Sequence, residues 1–125
     1  MSSSAIRIVL VEDNQVFREA LELLLGLRSD VEVVASVGDG AEAVEATKRA
    51  APDVVLMDYR LPGLDGVQAT RAVREACPGV VVVCLTASAN VKEREALVEA
   101  GAVRCLTKDQ DLDDIVAAIH EAVGR

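Results

Sequence analysis

The chain has 125 residues and is 51% hydrophobic, enough for one domain that buries roughly two-thirds of its unfolded surface without a disulfide or structural metal. A formal net charge of -8 opposes binding to phosphate backbones and acidic lipid heads, and a single Tyr (Tyr59) and a single Phe (Phe17) leave little aromatic surface for stacking on bases. The sequence shows no signal peptide, basic amphipathic segment or apolar run long enough to span a membrane, so the expected location is cytoplasmic, with no membrane partner and no direct contact to nucleic acid.

Residues 1–5 read as a loose N-terminal tail, and residues 6–125 as one domain. The first apolar run, Ile6–Val11, predicts a strand, and Gln15–Leu27 predicts a helix with Phe17, Ala20, Leu21 and Leu24 on its buried face. A second strand is expected over Val31–Val37. The next helix should start at Asp39-Gly40-Ala41-Glu42, a polar cap with Glu three residues on. Val54–Met57 predicts the third strand, a further helical segment follows, and Val80–Leu85 predicts the fourth strand. Asn90-Val91-Lys92-Glu93 should cap a fourth helix that stops before Gly101, with a thin apolar stripe around Val91, Leu97 and Val98. The last strand is expected over Val103–Leu106, and the last helix over Leu112–Val123, with Leu112, Ile115, Val116, Ile119 and Val123 on one stripe.

Near-continuous apolar runs alternating with helices imply parallel strands, buried on both faces, with right-handed crossovers. The expected fold is α/β: a (βα)5 doubly wound, flavodoxin-like sheet of order 2-1-3-4-5. In such sheets chemistry gathers at the carboxyl ends of the strands. Those ends carry Glu12-Asp13, Asp58, Thr86 and Lys108. Alone, Asp13 reads as a helix cap, Thr86 as an ordinary strand end and Lys108 as a solvated loop residue. Together, three carboxylates, a hydroxyl and an ammonium should meet on one rim. Clustered carboxylates raise one another's pKa unless a cation intervenes, and a hard cation such as Mg2+ suits them. Asp58 could then act as a nucleophile towards a phosphoryl group, whose oxygens Lys108 and Thr86 would meet. Cys77, Cys84 and Cys105 are odd in number and lack CxxC spacing, so they read as buried thiols of a reducing compartment. His120 has no partner at metal-ligand spacing and is expected at the solvent boundary without a role.

From Ile6 to Val123 the chain resembles the receiver domains of bacterial two-component response regulators. The motifs that carry the resemblance are Ile8-Val9-Leu10-Val11-Glu12-Asp13-Asn14 and Pro52-Asp53-Val54-Val55-Leu56-Met57-Asp58. They continue with Leu61-Pro62-Gly63-Leu64-Asp65-Gly66, Leu85-Thr86-Ala87, and Gly101-Ala102 followed by Leu106-Thr107-Lys108. The resemblance implies that Asp58 accepts phosphate from a sensor histidine kinase. Glu12, Asp13, Asp58 and the backbone carbonyl of Arg60 would hold Mg2+ or Mn2+, while Thr86, Ala87 and Lys108 would contact the phosphoryl group. It also implies a signalling role rather than an enzymatic one, with a homodimer through the helix 4–strand 5–helix 5 or helix 1–helix 5 face. Lys108-Asp109, where many receivers have Lys-Pro, and the spacing of Glu32-Val33-Val34 resemble the subfamily with a C-terminal LuxR-type helix-turn-helix. DNA would be reached through that output domain, which lies outside this chain; a stand-alone regulator is the alternative. Cys105 departs from the family at a switch position that is usually aromatic. Activation would then rely on movement of the Thr86–Asn90 loop and the fourth helix.

Three rival readings fit less well. A haloacid-dehalogenase-type phosphatase wants Asp-x-Asp, but the chain has Asp58-Tyr59-Arg60 and lacks the second acid. A flavodoxin wants hydroxyl and Gly donors after strand one, where Glu12-Asp13-Asn14 would repel a phosphate. A pseudo-receiver, a binding module that is never phosphorylated, often loses one of the acidic, Asp or Lys positions, all of which are present here.

Overall fold

The computed structural model describes residues 5–87 and 90–125. Strands and helices alternate: β1 (Ile6–Val11), α1 (Gln15–Gly26), β2 (Val31–Val37), α2 (Gly40–Ala50), β3 (Val54–Met57), α3 (Gly66–Ala76), β4 (Val81–Thr86), α4 (Val91–Glu99), β5 (Arg104–Thr107) and α5 (Leu112–Val123). Every strand pair is parallel and the order is β2-β1-β3-β4-β5, the doubly wound sheet that the alternation implies. Of the expected tail only Ala5 is described, and Ser88 and Ala89 of the Thr86–Asn90 loop lie outside the described residues.

Side chains of a strand alternate between faces, so the sheet divides its apolar residues between two cores. Ile8, Leu10, Leu56 and Leu85 pack on Leu21 and Leu25 of α1 and on Ile115 and Ile119 of α5. Val9, Val55, Met57 and Cys84 pack on Ala43 of α2, Ala69 and Val73 of α3, and Leu97 of α4. Each buried Val, Leu, Ile or Met among them stabilises the fold by about 1.5–3 kcal/mol relative to leaving it in water. β3, central in the sheet, is buried at every position. The expectation of strands buried on both faces fails at the edges: in β2 only Val31 is fully buried, and in β5 only Leu106. An edge strand has one neighbour, and its outer flank meets solvent.

Three details differ from the sequence expectation. β4 and β5 each begin and end one residue later than their apolar runs. The Val80 N–H closes the turn after α3 on the Cys77 carbonyl instead of joining the ladder, and Val103 is 52% exposed before β5 begins. In α1 the buried stripe is Leu21 and Leu25 with Phe17 packed beside them, while Ala20 and Leu24 face outwards. The leucines at 21, 23, 24, 25 and 27 fit more than one helical face, and contact with β1 and β2 selects one of them. His120 has partners at the solvent boundary: its Nε2 is 2.8 Å from Asp30 Oδ2 and its Nδ1 is 3.0 Å from the Arg125 carbonyl.

The caps do hold. Asp39 accepts from the Glu42 N–H, and Asn90 from the N–H groups of Lys92 and Glu93. A reciprocal capping box forms at α3, where Asp65 accepts from the Gln68 N–H and the Gln68 side chain accepts from the Asp65 N–H. This start of α3 packs against the end of β3. A Cβ on Gly66 would stand 2.2 Å from the Asp58 carbonyl oxygen and 2.7 Å from Tyr59 Cα. Only glycine lets the helix approach so closely, and that approach fixes the backbone that carries Asp58. Gly66→Ala should therefore lower the urea midpoint, by about 1–3 kcal/mol of stability. Gly79→Ala, whose Cβ meets nothing within 4 Å, should not. Equal midpoints for the two variants would overturn this account of the β3–α3 junction.

Candidate functional site

All five strands point the same way, so their carboxyl ends form one rim. Glu12 and Asp13 leave β1, Asp58 leaves β3, Thr86 ends β4 and Lys108 follows β5. Glu12 and Asp58 are only 2% and 5% exposed, whereas Asp13 is open to solvent. One carboxylate oxygen from each of the three lies within 4.8 Å of the others. The Lys108 ammonium reaches across from the edge strand to Glu12 Oε1 at 2.6 Å and Asp58 Oδ2 at 3.2 Å.

Backbone donors orient both buried carboxylates. The Asn14 N–H donates to Glu12 Oε2 and the Tyr59 N–H to Asp58 Oδ1, at 2.9 and 2.8 Å. Thr86 is buried, and its carbonyl accepts from the Lys108 N–H at 2.9 Å, which ties the end of β4 to the residue after β5. Ala87 is exposed and borders a depression with Phe17 and Lys108. The structure thus brings Glu12, Asp13, Asp58 and Lys108 together, with Thr86 and Ala87 beside Lys108. The Arg60 guanidinium leans towards α4, 3.9 Å from Glu93 Oε2. Cys105 faces Cys84 and a groove beside α4 instead of the rim.

Two contributors escaped the sequence reading. The Phe17 ring lies under Lys108 Nζ, 4.7 Å from its centroid, a cation–π contact that steadies the ammonium. Arg18 Nη1 donates to the Glu12 carbonyl at 2.7 Å. The lone Phe of an aliphatic chain was the available signal, but its helical spacing pointed equally well to core packing.

Burial raises the pKa of Glu12, against hydrogen bonds from Lys108 and the Asn14 N–H that lower it. Burial also works against the charge of Lys108, but its bonds to Glu12 and Asp58 outweigh that and raise its pKa. Three carboxylates face one ammonium, so the rim keeps an excess of negative charge. An all-oxygen donor set of this kind suits a hard divalent cation such as Mg2+ or Mn2+ rather than a thiophilic metal.

A doubly wound sheet whose carboxyl rim gathers acidic residues and a lysine defines a class of signalling module. Residues 8–120 match the family model of the response regulator receiver domain, and the chain belongs to that family. It is 38% identical over 114 residues to the transcriptional regulatory protein LnrK of Bacillus subtilis (strain 168), covering 91% of this chain and 52% of that one. The signal receiver domain of the putative response regulator NarL from Mycobacterium tuberculosis superposes with a TM-score of 0.92 at 34% identity, covering 98% of each chain. A two-component response regulator of the LuxR family from Aurantimonas sp. SI85-9A1 gives 0.90 at 33% identity, over 97% of this chain and 86% of that one. The chain spans about half the length of the curated relatives it matches. Among the described residues no helix is long and apolar enough to cross a membrane.

The raised pKa of Glu12 carries a pH signature. A carboxyl that binds its proton more tightly folded than unfolded contributes stability that is full below its ordinary pKa of 4.5 and is lost as pH rises through the folded value. In excess chelator, the urea midpoint of the wild type should therefore fall as pH climbs above 4.5, and Glu12→Gln should remove that step. An unchanged pH profile in Glu12→Gln would show that burial does not govern this carboxyl.

Proposed function

We propose that this chain is the phosphoacceptor domain of a two-component response regulator and that Asp58 receives the phosphoryl group. The observation that carries this reading is the pairing of Asp58 Oδ2 with Lys108 Nζ at 3.2 Å, beside the Glu12 and Asp13 carboxylates. Asp58 Oδ2 attacks the phosphorus of a phosphohistidine on a sensor kinase. The new P–O bond forms as the P–N bond breaks, and the imidazole leaves with the electron pair. The Tyr59 N–H holds the other oxygen, Oδ1, and so fixes which oxygen faces the donor. Lys108 turns from the two carboxylates to the incoming phosphoryl oxygens, whose charge grows in the transfer. Thr86, on the next strand, donates its hydroxyl to the same group.

A bound Mg2+ or Mn2+ would neutralise the acidic rim and polarise the phosphoryl oxygens. Glu12, Asp13, Asp58 and the Arg60 carbonyl are the residues that would hold it. The phosphorylated state would act through an output domain that binds DNA, in line with the transcriptional regulators that are similar over this half of their length. The setting of such kinase pairs is the cytoplasm. For self-association, α1 and its C-cap residue Leu27 offer the more apolar face: Val16, Leu23 and Leu27 are 80%, 69% and 78% exposed.

Intact mass after incubation with a small phosphodonor and Mg2+ tests the assignment. The wild type should gain one phosphate. Asp58→Asn should gain none, because the amide keeps the shape but lacks the nucleophilic oxygen. Excess chelator should also abolish the gain, and Asp13→Ala should slow it about tenfold or more. Phosphate uptake by Asp58→Asn at the wild-type rate would refute the site.

A further inference from the structure

Two of the three cysteines face one another. Cys84 on β4 and Cys105 on β5 are register partners in the parallel β4–β5 ladder. Such partners project to the same face of a sheet, on strands about 4.8 Å apart. Both side chains belong to the core that faces α3 and α4. Cys84 is fully buried and stands directly opposite Cys105 in the ladder. Cys105 is only half-buried. It lines a groove of about 650 Å³ beside α4, together with Val91, Arg94, Val98 and Val103. Its thiol lies 3.7 Å from the Arg94 carbonyl oxygen. The pair is asymmetric: one sulfur borders an open groove and the other is sealed behind it.

We propose that Cys84 and Cys105 are a hydroperoxide-responsive dithiol, in which Cys105 reacts with the peroxide and Cys84 resolves the product into a disulfide between β4 and β5. The thiolate is the nucleophilic form of cysteine. The neighbouring Cys84 thiol, aided by the Arg94 cation and against the effect of burial, brings the Cys105 thiol down to about 7. That contact and burial push the Cys84 thiol up, so Cys84 keeps its proton. Position assigns the same roles: Cys105 borders the open groove, and Cys84 is sealed behind it.

The chemistry balances with a hydroperoxide as the sole oxidant. The Cys105 thiolate attacks the terminal peroxide oxygen; an S–O bond forms, the O–O bond breaks, and the alkoxide takes a proton from solvent. The product is a sulfenic acid at Cys105. The Cys84 sulfur then attacks the Cys105 sulfur, an S–S bond forms, and the hydroxyl leaves with the Cys84 proton as water. Two thiols and one hydroperoxide give one disulfide, one alcohol and one water. The strand spacing falls within the Cα separations of roughly 4.4–6.8 Å that disulfides span, so the strands need not part. The bond would also tie β5 to β4 two residues short of Thr86. That consequence rests on the phosphoacceptor reading, but the dithiol does not.

The test uses the whole chain, reduced, exposed to a small excess of hydrogen peroxide at neutral pH, then alkylated and mapped by peptide mass. The wild type should lose two hydrogens, with the Cys84 and Cys105 peptides linked, Cys77 alkylated, and the change reversed by dithiothreitol. Cys105 should react several-fold faster than Cys77. In Cys84→Ala, Cys105 should stop at a sulfenic acid that dimedone traps. In Cys105→Ala, Cys84 should survive the same dose unoxidised. Oxidation of Cys77 as fast as Cys105, or oxidation of wild-type Cys105 without a link to Cys84, would overturn the proposal. The wild-type map decides the matter even if a variant fails to fold. Phosphate uptake at Asp58, measured separately on the reduced chain, distinguishes failure of the dithiol from failure of the phosphoacceptor reading.

Discussion

The Lys108 ammonium, shared between the buried carboxylates of Glu12 and Asp58, is the contact around which the rim is organised. Two carboxylates removed from water at this spacing repel one another, and neither can be left unpaired without a large desolvation cost. Lys108 solves this from the far edge of the sheet. It follows β5, yet it reaches over the end of β4 to β3 and β1. Its aliphatic stem and charged head need support over that span. Phe17 supplies a ring beneath the ammonium, and the Thr86 carbonyl anchors the Lys108 backbone. The first helix, the third strand and the fifth strand, distant in sequence, are thereby joined at one cation.

That arrangement explains which parts of the molecule were legible in the sequence. β1, β3 and β4 have a neighbour on each side and a helical layer on each face, so burial forces an apolar residue at nearly every position. The outer strands β2 and β5 face solvent along one flank, and their runs mix Glu32, Ser36, Arg104 and Thr107 with apolar residues. The rim was legible because each of its side chains stands at a strand end, a place the alternating pattern locates directly. Phe17 was not, because a helical period says which face a residue occupies but not which ion from another element will settle on it. The buried face of α1 was misread for a related reason: a leucine-rich helix offers several equivalent stripes, and only the sheet chooses between them.

The fourth helix shows the other limit. Leu97 is its only fully buried residue, while Val91 and Val98 are exposed. Few apolar contacts hold it, which places it among the elements that open at low cost. Beside it, Cys105 fills little of the space that an aromatic ring would take, and the groove between α4 and β5 stays open. A helix held mainly by one leucine and by contacts such as Arg94 Nη2 to the Cys105 carbonyl at 3.4 Å is sensitive to small changes in its supporting strand.

β4 connects these regions through its alternation. Leu85 faces α1 and α5, whereas Cys84 faces α3 and α4, so Thr86 projects to the same side as Cys84. The parallel register repeats this on β5, where Cys105 lies opposite Cys84 and Thr107 opposite Thr86. A displacement of Thr86 towards Asp58 would therefore act on the face of the sheet that supports α4, where Cys84 and Cys105 lie directly below it. A ring at position 105 could transmit such a displacement by swinging into the space that Thr86 vacates. A thiol sweeps too little volume for that, and a conformational preference needs a contact that differs between the two states. In this chain the difference would have to come from backbone movement, of the Thr86–Asn90 loop and α4, because the side chains of β4 and β5 on this face are small and in direct register.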